Sequence, residues 1–215
     1  LKQMEQWAEE FEAFHARFSH IFARREPREE ARQYLRGLLA PVARKNCWQM
    51  AEAVGEGDPQ SMQRLLYSAR WQADEARDEL QAFVLEEFGD ESSIGVVDET
   101  GFLKKGTKSV GVKRQYSGTA GKIENCQVGV FLSYFNGRSY VFLDRRLYLP
   151  ENWCTDWERR REAQVPDNVV FKTKPQLALE MLKHAWSQGV PMAWVAGDEV
   201  YGDAPYLRDG IAKGG

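Results

Sequence analysis

The chain has 215 residues, 43% of them hydrophobic, and a formal net charge of -3, enough apolar material to bury a sizeable core in one large domain or two small ones. No run approaches the roughly 18 apolar residues of a membrane span, and the N-terminus is charged and amphipathic, so the composition points to a cytoplasmic protein and away from a membrane partner. Cys47, Cys126 and Cys154 are odd in number, far apart and outside any C-x-x-C arrangement, so neither a disulfide framework nor a zinc site is suggested and three reduced thiols are expected.

Residues 1 to about 25 place Leu1, Met4, Trp7, Phe11, Phe14, Phe18, Ile21 and Phe22 at three- and four-residue steps, which predicts one amphipathic helix with an aromatic packing face. His15 and His20 are five apart, so they do not form an i, i+4 metal pair and read as surface or boundary residues. A second helix is predicted from about Glu29, with Pro27 near its start and Ala31, Tyr34, Leu35, Leu38 and Leu39 facing inward. Next come a short helix from Cys47 stopped by Gly55, a turn, and a helix from Pro59 capped by Asp58. Helix, short glycine-containing turn, helix is the outline of a helix-turn-helix, and also of an ordinary helical hairpin. In the first case Gln60, Gln63 and Arg64 are the groove-facing candidates, because amide and guanidinium groups match base edges. A further helix spans 70 to 88, and Gly89-Asp90-Glu91-Ser92-Ser93 then breaks the pattern, giving a domain boundary near residue 90: a helical domain over 1–90 and a second domain over 91–215.

Beyond that boundary short β-like runs appear at Ile94 to Val97, Ser109 to Tyr116, Cys126 to Phe135 and Ser139 to Leu143, with Asn136-Gly137 as a hairpin signal. The first run leads directly into Asp98 and Glu99 before Thr100-Gly101, which reads as a turn. A carboxylate at the end of a core strand must be paired, hydrogen-bonded or metal-bound, so Asp98 is either a metal-binding catalytic acid or a cap or turn residue. Between Leu103 and Lys122 stand six basic residues (Lys104, Lys105, Lys108, Lys113, Arg114 and Lys122) and no acidic one. Such a strip is either a solvated hairpin or a phosphate-contacting surface. Residues 150 to 170 read as a loop with a short helix, in which Trp153 and Trp157 either pack against the sheet or stack on unpaired bases. Lys174 to Gln188 is an amphipathic helix closed by Gly189, and it feeds an apolar strand, Met192 to Ala196, that ends at Asp198.

Strand, hairpin strands, helix, then a strand ending in an acid is the order expected of a ribonuclease H-like sheet, in which the first strand and the strand after the helix lie side by side. Asp98 and Asp198 would then meet across 100 residues and share divalent cations, Mg2+ or Mn2+, for phosphoryl transfer. The fold expected is therefore α + α/β: an N-terminal helical, helix-turn-helix-like domain followed by a partial ribonuclease H-like mixed-sheet domain. The segments DETGFLKKG at 98–106, SVGVKRQYSGTAGKIENCQVGVFLS at 109–133, RLYLPENW at 146–153 and VPDNVVFKTKPQLALEML at 165–182 resemble the catalytic domain of DDE-superfamily transposases of bacterial insertion sequences, and YLRGLL at 34–39 resembles their N-terminal region.

The resemblance implies metal-dependent strand cleavage and transfer on double-stranded DNA, at transposon ends and target, by a nucleoid-associated protein that is a homo-oligomer when bound. It implies Asp98 as the first catalytic and metal-binding acid and Asp198 as the second, with Lys104, Lys105, Lys108, Lys113 and Arg114 beside them on DNA. The family's third acid is a Glu on a downstream helix, and the sequence stops at Gly215 before a comparable position. Cleavage by these 215 residues alone is therefore an open expectation, and a non-catalytic DNA-binding protein or transcriptional regulator derived from a transposase is the alternative.

Overall fold

The structure, a computed structural model, describes residues 2–214. It divides into two compact units, Leu1–Glu79 and Leu80–Gly215.

The first unit is helical. Helix α1 (Lys2–Arg17) continues into a 3-10 turn at Phe18–Ile21, and α2 is Arg25–Leu39, with Pro27 in its first turn, where no intrahelical N–H bond is lost. Short helices α3 (Cys47–Ala53) and α4 (Gln60–Tyr67) follow. Asn46 caps α3 by accepting the Gln49 N–H, and Asp58 accepts the Gln60 N–H at 2.8 Å at the head of α4. Two small cores result. Ile21, Phe22, Ala31 and Leu65 form one, and Met50, Ala51 and Met62 the other, with Tyr34 touching both. Gly37 of α2 lets α3 approach closely, because a Cβ there would come within 2.7 Å of the Met50 Cβ.

Several expectations for this unit are corrected. The aromatic stripe of α1 is only partly a packing face: Met4 and Trp7 are 70% and 61% exposed, burial is complete only at Ile21 and Phe22, and Leu1 lies outside the described residues. Leu38 and Leu39 are exposed as well, since the tight approach at Gly37 turns the end of α2 so that only its Ala31–Tyr34–Gly37 side faces the neighbouring helices. His15 is buried, 7% exposed, because its Nε2 bonds the Arg28 carbonyl at 3.0 Å and so satisfies a polar ring away from water.

Helix α5 (Ala73–Phe88) begins later than the apolar spacing predicts. Trp71 precedes it, with its indole N–H donating to the Leu65 carbonyl at 2.9 Å. The boundary between the units falls inside α5, whereas the shift in composition falls after it: Val84 and Phe88 on its C-terminal half pack into the core of the second unit.

The second unit is built on a mixed five-stranded sheet. Strand β1 (Ile94–Leu103) pairs antiparallel with the long β3 (Lys122–Phe135) from Ile94↔Phe135 to Leu103↔Cys126. Strand β2 (Lys113–Ser117) pairs with the first five residues of β3, and β4 (Tyr140–Leu147) with residues 129–135. On its other side β1 pairs in parallel with the short β5 (Trp194–Ala196). The turn expected at Thr100-Gly101 does not exist. A continuous ladder to β3 carries the strand through it, and Gly101 is needed for contact, since a Cβ there would lie 2.6 Å from the Ser117 Oγ. The β-like run at Ser109 to Val112 is a turn, with Gly111 at φ +76, leaving only Lys113–Ser117 as strand. Asn136-Gly137 does join a hairpin, with the Asn136 side chain accepting the Arg138 and Ser139 N–H groups.

Residues 150 to 170 carry two short helices, α6 (Glu151–Thr155) and α7 (Trp157–Glu162). Helix α8 (Lys174–Ser187) opens on a Thr173–Gln176 capping box, and α9 (Glu199–Gly202) and α10 (Pro205–Gly214) complete the described chain. The main core lies between one sheet face (Val97, Val130, Leu132, Leu143) and α8 (Ala178, Met181, Leu182, Ala185), joined by Tyr201 and Leu207. Within the described residues no helix is long and apolar enough to cross a membrane.

Candidate functional site

The parallel pair β1–β5 positions the two acids singled out by the sequence. Its register is Ile94↔Trp194, Gly95↔Val195 and Val96↔Ala196. The ladder stops there, two residues before Asp98 on β1 and two residues before Asp198 on the other segment. Gly197 lets the two segments approach closely: a Cβ there would lie 2.9 Å from the Val97 Cγ2 and 3.1 Å from the Tyr201 Cβ.

The setting of each acid differs from the sequence expectation. Asp98 is exposed and lies inside β1 rather than at the end of a buried strand, because β3 continues to supply pairing partners out to Leu103. Its Oδ1 accepts the Glu99 N–H at 2.7 Å. Asp198 is the N-cap of α9, its Oδ1 accepting the Val200 N–H at 3.0 Å. Glu199 is therefore a helical residue, not a strand neighbour of Asp198. No group among the described residues donates to the second oxygen of either aspartate.

Strand alternation separates Asp98 from Glu99. Asp98 shares a face with Phe131 and Arg145, its partners in register across β3 and β4. That face is aromatic and open: Phe102, Phe131, Phe142 and Tyr140 form a run of ring contacts at 5.6–6.3 Å, and Phe142 is 61% exposed. Glu99 points with Val97 toward the helices. There Lys174 Nζ donates to its Oε1 at 2.5 Å and the Tyr201 hydroxyl to its Oε2 at 2.6 Å. Burial first, then the bond to Glu99 and the negative charge of Glu99, Asp98 and Asp198, push the Tyr201 hydroxyl far above its ordinary value, so it keeps its proton and serves as a hydrogen-bond donor to Glu99. Sequence reasoning missed Lys174, Glu99 and Tyr201 as a unit. The signal available was alternation itself, which puts Glu99 on the buried side, where a carboxylate needs partners.

The basic strip divides between a braced loop over residues 104–112, which carries Lys104, Lys105 and Lys108, and the strands, with Lys113 and Arg114 on β2 and Lys122 opening β3. The Asn125 side chain donates to the carbonyls of Lys104 and Gly106, Gln127 to Val110, Trp153 to Val112 at 2.8 Å, and Arg159 to Thr107 at 2.7 Å. Trp153 is fully buried under Arg159, whose guanidinium carbon lies 3.6 Å from the ring centroid, whereas Trp157 is 63% exposed. Lys105, Lys113 and Arg114 are exposed and Lys104 is half-buried; Lys108 is exposed but paired with Glu162 at 2.6 Å, and Lys122 with Glu124 at 2.8 Å. In the helical unit Gln60 and Arg64 are exposed on α4, Gln63 is half-buried, and Arg64 reaches Glu30 at 3.4 Å. Among the described residues no group of three His, Cys, Asp or Glu is arranged to hold a metal ion.

Residues 17–215 match the sequence profile of a family described as DDE superfamily endonuclease. Over 177 residues the chain is 30% identical to a probable transposase for insertion sequence element IS701 from Microchaete diplosiphon, a match covering 81% of this chain and 43% of the relative, so the chain spans less than half the length of that protein. No solved structure matches. A profile match over nearly the whole chain places the chain in the DDE superfamily of endonucleases.

Proposed function

We propose that the chain is the DNA-binding region and part of the catalytic region of an insertion-sequence transposase, which cleaves and joins DNA strands at the element's ends. The observation that carries this reading is the parallel β1–β5 pair, whose ladder ends at Val96↔Ala196, two residues before Asp98 on β1 and two before Asp198 at the head of α9. Membership of the endonuclease superfamily and the likeness to a probable transposase support it. On this reading the second unit, with the C-terminal half of α5, belongs to a ribonuclease H-like domain, and the first unit is a DNA-binding domain in which α3 and α4 act as a helix-turn-helix.

The donor set fits a hard divalent cation. Two exposed carboxylates each have one oxygen oriented by a backbone N–H and one left for a ligand, and carboxylate oxygen with retained water suits Mg2+ or Mn2+. When bound, such an ion supplies Lewis-acid activation of a water or 3′-hydroxyl and offsets charge on the leaving oxygen. Asp98 and Asp198 are the residues that would hold it. Lys104, Lys105, Lys113 and Arg114 hold phosphates farther along the duplex: at about 3.4 Å per strand residue, Lys104 stands ~20 Å from Asp98, or roughly six base pairs. Lys108 contributes less because Glu162 already pairs it. Gln60, Gln63 and Arg64 read base edges. The assembly is a homo-oligomer on transposon ends and target, acting on cytoplasmic nucleoid DNA.

The test is strand cleavage of end-bearing DNA by the full gene product with Mg2+ or Mn2+. Asp98→Ala and Asp198→Ala are each expected to lower the rate by at least 100-fold, and cleavage surviving either substitution refutes the assignment.

A further inference from the structure

We propose that Glu99 and Tyr201 form a positioning link that ties the Asp198 turn to β1 and so makes the two aspartates act as one cation site. The inference rests on the reading of Asp98 and Asp198 as a metal pair.

The need for a link follows from how few hydrogen bonds hold the turn to β1. Strand β5 is three residues long, and its ladder to β1 ends at Val96↔Ala196. Past that point Gly197 and Asp198 have no strand bonds to β1. Asp198 is bonded instead into its own turn: its carbonyl accepts the Tyr201 and Gly202 N–H groups and its side chain the Val200 N–H. The turn is therefore hydrogen-bonded within itself; it packs on β1 at Gly197 against Val97, and Tyr201 adds a side-chain hydrogen bond to β1. Tyr201 is 2% exposed and delivers its hydroxyl to Glu99, the residue next to Asp98, across 102 positions of sequence.

Glu99 is unsuited to be a direct ligand beside Asp98, because alternation turns it to the opposite face of β1. Both of its oxygens are committed, one to Tyr201 and the other to Lys174 at the first position of α8. Lys174 also offsets its charge, so Glu99 does not compete with the aspartates for a cation. The three residues thus join β1, α8 and α9 next to Asp98 and Asp198, which must hold a fixed separation, and small displacements of preorganised donors are costly.

The experiment is a Mn2+ titration of the 15N-labelled 215-residue chain, following paramagnetic broadening of the amides flanking Asp98 and Asp198. In the wild-type protein both sets are expected to broaden together, with one midpoint. Tyr201→Phe keeps the ring in the core and removes only the link; it should raise the midpoint about 10-fold and separate the two sets. Tyr206→Phe is the control, since it deletes a hydroxyl bond, to Thr173 at 2.7 Å, that involves neither Glu99 nor either aspartate. It should leave the midpoint unchanged. A wild-type midpoint in Tyr201→Phe overturns the proposal, and so does an equal shift in Tyr206→Phe, which would mark general loosening. If the wild-type protein shows no broadening at either aspartate, the metal reading itself fails and takes this role with it. If Asp98→Asn abolishes broadening while Tyr201→Phe does not alter it, only the positioning role fails.

Discussion

Gly197→Ala tests whether the approach of β5 to β1 is as tight as the register implies. The added methyl would lie 2.9 Å from the Val97 Cγ2 and 3.1 Å from the Tyr201 Cβ, well inside ordinary carbon contact at about 3.5–4.0 Å. Neither neighbour yields cheaply. Val97 is 2% exposed with a stiff β-branched side chain, and the Tyr201 contact is at Cβ, next to the backbone of α9. Overpacking of this kind costs about 1–3 kcal/mol. At roughly 3 °C per kcal/mol for a unit of this size, the melting midpoint should fall by about 3–9 °C. Gly202→Ala, five residues on and within α9, is the matched control, because a Cβ there meets nothing within 4 Å. Helix propensity makes that change neutral or stabilising by up to about 1 kcal/mol. Thermal unfolding followed by circular dichroism compares the two variants. If Gly197→Ala melts within about 1 °C of wild type while Gly202→Ala loses stability, the packing of the Asp198 turn against Val97 is not as described.

Two further outcomes follow from the basic strip. Alanine at Lys105, Lys113 or Arg114 should each weaken duplex binding and reduce the slope of log affinity against log salt by about 0.9, whereas Lys108→Ala should change it less because of its Glu162 pair; fluorescence anisotropy over a salt series measures this, and equal slopes throughout would remove the strip from the interface. Trp153→Phe removes the indole bond to the Val112 carbonyl in a fully buried site, so it should destabilise by about 1–3 kcal/mol and speed amide exchange across residues 104–112; urea unfolding with hydrogen exchange measures both, and unchanged protection would show that the loop is held without Trp153.

What was legible in the sequence is what short spacings encode. The three- and four-residue apolar steps, the Asp58 cap, the Thr173-x-x-Gln176 box and the Asn136-Gly137 hairpin act between residues a few positions apart, so a local pattern suffices to place α2 to α5, α8 and the β3–β4 hairpin. The acids after two apolar runs were legible too, as was the order of elements that makes β1 and β5 neighbours.

What only the tertiary structure decided depends on partners far away in the chain. β1 runs through Thr100-Gly101 because β3 extends alongside it and Ser117 leaves no room for a Cβ at Gly101, facts absent from the heptapeptide itself. Met4, Trp7 and Leu39 fit a buried stripe by spacing yet remain exposed, since periodicity gives a face and not what covers it. The clearest case is Glu99. Alternation by itself turns that side chain away from Asp98, but its partners stand 75 and 102 residues downstream, on helices brought beside it by the packing of α8 and α9 on the sheet.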